Sequence, residues 1–195
     1  MGRESARCQL WSEAEETAMV IALAGRRMDA PDAKTPRFPP QNEALVAARL
    51  RRFFERQHAA ALVCSAACGA DLMALEAAGA LNLRCRIVLP FPPPRFRETS
   101  VADRPGDWGQ RYDRVLAAVD DVIVLDYPQH DSATYVRTNG AILDNAAALS
   151  TELRQPAGAA IVWDGQSRGP DDVTEQFLIE ARARFGRVAE ILTVP

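Results

Sequence analysis

The stretch "LVCSAACGADLMALEAA", residues 62–78, decides how the chain folds. An apolar run reaching Cys64 passes through the small residues Ser65, Ala66, Ala67, Cys68 and Gly69, and a helical pattern begins at Ala70. That order reads as a strand buried on both faces handing over to a helix through a tight turn. The same alternation recurs on either side. "AMVIALAG" (18–25) is an apolar run ending in glycine, and "EALVAARLRRFFERQH" (43–58) sets Leu45, Val46, Leu50, Phe53 and Phe54 at helical spacing with arginines opposite. Downstream, "LRCRIVLPF", "DDVIVLDY" and "GAAIVWDG" read as strands, and "WGQRYDRVLAAV", "TYVRTNGAILDNAAALS" and "DDVTEQFLIEARARF" as helices. "VAEILTV" reads as a short final strand. Strands separated by helices mean βαβ units and a parallel sheet. The expectation is an α/β protein with a Rossmann-like, doubly wound, mostly parallel sheet of about five to seven strands and helices on both faces. One domain spans 18–195. Residues 1–17 form a polar N-terminal extension, loose or with one short helix around Ser12–Thr17.

Composition narrows the class. With 195 residues, 48% apolar and 25% charged, the chain can bury a sizeable core in one domain. A net charge of −3 offers polyanions no general attraction, so a nucleic-acid partner is disfavoured. Of the 23 basic residues only Lys34 is a lysine. Cys64 and Cys85 lie inside apolar runs, and Cys64-x3-Cys68 has no second pair at metal spacing, so no metal site is expected. The start of the chain has no apolar signal core, and no apolar run approaches the roughly 20 residues of a membrane span. A reduced, cytoplasmic protein away from membranes is expected.

In open α/β sheets ligands bind beyond the carboxyl ends of the strands, so the strand-to-helix loops carry the candidates. In "AGRRMDAP" (24–31), Gly25 permits close backbone approach and Arg26 or Arg27 can meet an anion. In the turn before the second helix, small side chains leave N–H groups uncovered at a dipole that favours negative charge, and Asp71 can cap orphan donors. "PFPPPRFRETSVADRPGDWGQR" reads as a long loop in which Phe91, Phe96 and Trp108 wall a pocket or pack on the sheet, with Arg97 or Arg111 able to reach an anion. "DYPQHDSATYVRTNGAILDNA" brings His130, Arg137, Asn139 and Asp144. "WDGQSRGPDDVTEQF" (163–177) ends a strand at Asp164, turns at Gly165 and Gly169, and starts a helix near Thr174. Neither a dinucleotide fingerprint nor a phosphate loop is present, no serine or cysteine sits in a nucleophile elbow, and no cofactor is expected.

In order, "AGRRMDAP", "SAACGADLMALEAA", "VLPFPPPRF", "TSV…DWGQRYDRVL" and "VWDGQSRGPDDVTEQF" resemble the motifs of the SLOG superfamily, which includes DNA-processing protein A (Smf) and Lonely Guy proteins. The match covers most of residues 18–186. The long third segment looks most like a branch found alone or fused to signalling and tetratricopeptide-repeat domains in bacterial defence-type proteins. The resemblance implies a Rossmann-like fold that binds nucleotides or nucleotide-derived ligands, with Gly25, Arg26, Ser65, Gly69, Asp71, Asp164, Gly165, Gly169 and Thr174 lining the cleft. Arg111 joins them as a candidate cation from the third segment. The leading reading is a nucleotide-sensing domain. Its phosphate would sit on the Ser65–Asp71 and Gly169–Thr174 helix starts, with Arg26 supplying charge and Asp164 binding a ribose hydroxyl or base edge. A second reading is an N-glycosidase using Arg137, Asp164 and Glu175, although Glu175 directly follows Thr174 and the Lonely Guy "PGG" run is absent. A third is an oligomerisation module with an idle cleft. A homo-oligomer is expected in any case.

Overall fold

A computed structural model of the chain describes residues 18–119, 121–128 and 130–195. The extension at 1–17, with its expected short helix, lies outside the described residues. β1 (Met19–Gly25) shows why the apolar runs become strands rather than helices. Its alternate residues serve opposite faces: Ile21 and Leu23 join one core cluster, while Val20, Ala22 and Ala24 join the other. A strand enclosed on both sides needs no polar face, hence the unbroken hydrophobic reading.

Five further strands extend the sheet: β2 (Ala59–Cys64), β3 (Arg84–Leu89), β4 (Asp121–Val124), β5 (Ala157–Trp163) and β6 (Val188–Leu192). The order is β4-β3-β2-β1-β5-β6, and every neighbouring pair is parallel. The arrangement is therefore Rossmann-like, with "VAEILTV" supplying the sixth strand.

The helices divide between the faces. On one side lie α1 (Glu43–Arg56), α2 (Ala70–Ala80), α3 (Pro93–Ser100) and α4 (Trp108–Ala118), whose Leu50, Phe54, Leu72, Phe96 and Tyr112 pack with Ile21, Leu62 and Ile87. On the other lie α5 (Ser132–Leu153) and α6 (Val173–Phe185), with Ile142, Leu143, Leu149 and Phe177 against Val20, Val63 and Val88. Each fully enclosed Leu, Ile or Phe contributes roughly 1.5–3 kcal/mol of transfer free energy. α2 is buried along nearly all its first two turns, so its alanines act as thin spacers between helices and sheet.

One expectation needs correction. The third connection is not a continuous loop, because Pro93–Ser100 folds into α3. Its prolines occupy the first turn, where their missing N–H groups would have had no partner, so they start this helix rather than break it. Burial of Phe96 anchors it to the first core.

Candidate functional site

The chain winds outward from β1 through β2 and β3 to β4, then α5 carries it back across to β5 on the other side of β1. The order therefore reverses between β1 and β5, and the switch point lies beyond Gly25 and Trp163. A cleft of ≈ 520 Å³ opens there. Its walls come from the loop after β1, the turn after β2, α3, the first turns of α5 and the start of α6. A second groove, of ≈ 860 Å³, runs between α2 and α4 beside Leu83 and Asp121. Its Arg84 and Arg111 are already engaged by carboxylates, Arg84 by Asp121 and Glu152, Arg111 by Glu43 and Glu76.

Arg26 is the knot behind the cleft. Its Nε donates to Asp164 Oδ1 at 3.0 Å, its NH1 and NH2 donate to the two oxygens of Asp172 at 2.5 and 2.8 Å, and NH2 also reaches the Gln166 carbonyl at 2.6 Å. Arg37 donates to the other oxygen of Asp164 at 2.6 Å. With Arg26 only 2% exposed, this fork joins β1, β5 and α6 in one buried ion network. Burial alone would raise the Asp172 carboxyl. The Arg26 hydrogen bond, the Arg168 N–H and the nearby guanidinium charges outweigh it and bring that carboxyl down to about 2.

Asp172 also caps α6, accepting from the Thr174 N–H at 3.0 Å and the Glu175 N–H at 3.4 Å. Two expectations are thereby corrected. The helix start at Gly169–Thr174 already holds an anion, the protein's own carboxylate. Arg26 and Asp164 neutralise each other instead of presenting a charge and an acceptor to a ligand.

The small residues at 65–69 find their reason in the loop after β1. Gly69 has φ +99°, and a Cβ there would meet Met28 N at 2.5 Å and Arg26 O at 2.9 Å. Arg27 and Gly69 form an antiparallel bridge, and the Ala70 N–H donates to Arg26 O at 3.1 Å. Gly25 is equally tight, its missing Cβ lying 2.5 Å from Ala70 Cβ and 2.6 Å from Val162 O. Both glycines let one stretch of protein backbone cross another. The first turn of α2 is accordingly closed by carbonyls: Leu72 donates to Ala67 O and Met73 to Gly69 O. Asp71 does not cap it as expected; Gly69 is the N-cap, and Asp71 Oδ2 reaches back to the Ala67 N–H at 3.2 Å.

What these closures leave open lies on the cleft floor. Ser65 Oγ and Asp71 Oδ1 are buried without a hydrogen-bond partner, and both residues line the cleft. Burial pushes the Asp71 carboxyl up to about 7, against the pull of the Ala67 N–H and the Arg27 charge. The rim gathers cations: Lys34 and Arg168 are exposed, and Arg37 and Arg104 stand beside them, with Arg37 paired to Asp164, Arg104 to Asp103 and Arg168 at 3.7 Å from Asp172. The wall carrying Lys34 is shaped by Asp29, whose Oδ2 accepts from the N–H groups of Arg37 and Phe38 at 2.9 and 3.0 Å. Opposite, Ser100 Oγ lies 2.9 Å from the Tyr135 hydroxyl, tying α3 to α5. Asn139 donates to Val173 O at 2.8 Å, tying α5 to α6.

Of the expected ligand residues, Gly25, Arg26, Ser65, Asp71 and Thr174 line the cleft. Gly69, Asp164, Gly165 and Gly169 are not among its lining residues; the glycines have positive φ, and Asp164 is in ion pairs with Arg26 and Arg37. Arg111 lies elsewhere, stacked 4.1 Å from the Trp108 ring and bound by Glu43 and Glu76. Arg137 stacks 4.5 Å from the Tyr127 ring and donates to Thr134 Oγ1, and Glu175 accepts from Ser167. The three residues expected to be catalytic thus each have partners within the protein: Tyr127 and Thr134 for Arg137, Arg26 and Arg37 for Asp164, Ser167 for Glu175. Lys34, Arg37, Arg168, Ser100 and Tyr135 were not singled out from sequence. The proline-rich "APDAKTPRFPP" held the signal for the first two, since a segment of that length must run across the end of the sheet before α1 begins. Among the described residues no group of three or more His, Cys, Asp or Glu is placed to hold a metal, and no helix is long and apolar enough to cross a membrane.

No protein-family model matches the chain, and no curated protein matches it. Among solved structures it is similar to DNA processing protein A from Helicobacter pylori, described for a unique single-stranded DNA binding mode. The two are 13% identical, the match covers 85% of this chain and 74% of that one, and the TM-score is 0.39. That finding overturns the exclusion of a nucleic-acid partner, which rested on net charge. A chain of charge −3 can still gather Lys34, Arg37, Arg104 and Arg168 around one opening, and it is the local field that a polyanion meets. The likeness says nothing further about what this chain binds.

Proposed function

We propose that this chain is a cytoplasmic small-molecule binding domain, and that its ligand is a nucleotide or nucleotide-derived compound held in the β1/β5 cleft. One observation carries the reading: a cationic rim at Lys34 and Arg168 stands over a floor with unpartnered buried polar atoms, in a cleft of ≈ 520 Å³ at the switch point. A ligand that is anionic at one end and rich in hydrogen-bonding groups at the other complements both. The ordered motifs that resemble the SLOG superfamily agree with it. The anion belongs on the rim, because both helix starts are closed by the protein's own groups.

Sensing is favoured over turnover, since Asp164 is held by Arg26 and Arg37, and Glu175 by Ser167. Thermal denaturation against a panel of nucleotides tests the reading. A ligand present at about 100 times its Kd should stabilise by roughly 2.7 kcal/mol, and Lys34→Glu with Arg168→Glu should abolish the shift. A panel in which no nucleotide moves the melting temperature sinks it.

N-glycosidic cleavage keeps one observation in its favour. Asp71, at about 7, is a cleft carboxyl able to hold or release a proton near neutrality. Free base released from NAD or a nucleoside monophosphate, and lost in Asp71→Asn, would establish it; no release at high protein concentration would remove it.

A further inference from the structure

The floor of the cleft has a chemistry more specific than its rim. Ser65 and Asp71 are 9% and 7% exposed, and each keeps one side-chain oxygen without a partner. Leaving such atoms unpaired is costly, and in native proteins they usually await a water or a ligand. Other polar groups around the cleft are satisfied from within: Thr138 Oγ1 by Thr134 O, Asn139 by Val173 O, and Tyr135 by Ser100. Arg27, which also lines the cleft, keeps its buried Nε unpartnered, so the unpaired set there is a hydroxyl, a carboxyl oxygen and one N–H donor. A carboxylate oxygen accepts, while a serine hydroxyl both accepts and donates.

Three ligand groups can be weighed against that pair. An anion would face the Asp71 carboxylate directly. A cation would enter between Arg27, which already acts on Asp71, and the Lys34–Arg168 rim. A flat base edge would want a ring or an apolar slot, and the cleft offers these at Met28, Phe96, His130, Tyr135 and Ile142, on walls other than the turn that carries Ser65 and Asp71. A neutral group with several donors and acceptors remains. Two adjacent hydroxyls supply one donor for Asp71 Oδ1 and a partner of either sense for Ser65 Oγ.

We infer that Ser65 and Asp71 form a hydroxyl-reading subsite on the cleft floor, which takes the vicinal diol of a sugar while the ligand's anionic group faces Lys34 and Arg168. The inference rests on the nucleotide reading above and adds to it which part of the ligand is read. The raised Asp71 carboxyl agrees, since burial resists its ionisation despite the Ala67 N–H on Oδ2, and a hydroxyl donated to Oδ1 would favour the ionised form.

Calorimetric titration of the full chain tests it, with adenosine 5′-monophosphate, its 2′,3′-dideoxy counterpart, ribose 5-phosphate and inorganic phosphate as probes. The wild-type protein should bind the monophosphate at least about tenfold more tightly than the dideoxy compound. Ser65→Ala, which deletes one oxygen and disturbs no hydrogen bond of the fold, should weaken the diol-bearing probes by about tenfold and leave the dideoxy probe unchanged. Asp71→Ala should do the same if it folds; the serine variant suffices if it does not. Equal affinity for the two adenosine compounds, or equal weakening of both by Ser65→Ala, overturns the subsite while leaving the cleft reading intact. Failure of every probe to bind the wild-type chain removes the cleft reading and the subsite with it.

Discussion

Asp71 sits where its charge is least welcome, and that sets a measurable linkage. Its folded carboxyl stands at about 7 against an ordinary 3.8, so the native state binds the proton more tightly than the unfolded chain. The penalty for ionising it is absent below about pH 4, grows as pH rises towards 7, and is complete above, on the order of 4 kcal/mol. Asp71→Asn should therefore raise the melting temperature at pH 8, change it little at pH 4, and flatten the profile between. An unchanged profile would show that the carboxyl is not perturbed. Arg26 makes the opposite case, since its charge is required. Arg26→Met strands Asp172 and half of Asp164 in a buried place, and breaking such a network costs about 3–5 kcal/mol, readable by urea denaturation. At this scale sequence reading singles out residues but not their partners. Arg26, Asp164 and Thr174 could be picked out because charged and polar residues at strand ends are rare. Nothing in one sequence tells whether Asp172, 146 positions away, or a ligand answers the guanidinium.

Elements were the most legible level, because periodicity is local. The apolar runs, the amphipathic α1 and the strand–turn–helix at 62–78 each follow from spacing alone. α3 is hidden in the sequence because its prolines look like breakers, whereas their place in a first turn makes them starters. The turn at Ser65–Gly69 was recognised as tight, but what crosses it is the loop after β1, a long-range contact no local pattern encodes. Its tightness is testable by contrast with a second glycine of the same helix. Gly69→Ala places a Cβ against backbone at positive φ and should destabilise by about 2 kcal/mol or more. Gly79→Ala, in an open stretch of α2 with no atom within 4 Å, should stabilise by about 0.5–1 kcal/mol. Chemical denaturation of the two variants side by side gives the comparison; equal effects would contradict the crossing.

For the molecule as a whole, strands alternating with helices mean βαβ units, and the parallel sheet is expected for that reason. The site was harder to see because its walls come from five separate connections, and their relative heights depend on packing. Two ionic features act on the whole molecule in opposite senses. Asp172, held down to about 2, contributes stability above about pH 4 that is lost as pH falls through 2. Asp71 contributes least above 7. Together these two carboxyls place the maximum of their combined contribution at about pH 4, and a melting series from acid to alkaline buffers should show a decline from there towards neutrality rather than a plateau. The composition adds a practical consequence. Lys34 is the chain's one lysine, it is exposed, and it stands on the cleft rim. An amine-reactive dye thus has a single side-chain target, and beyond the amino terminus every fluorophore attached to this protein looks across the mouth of its cleft.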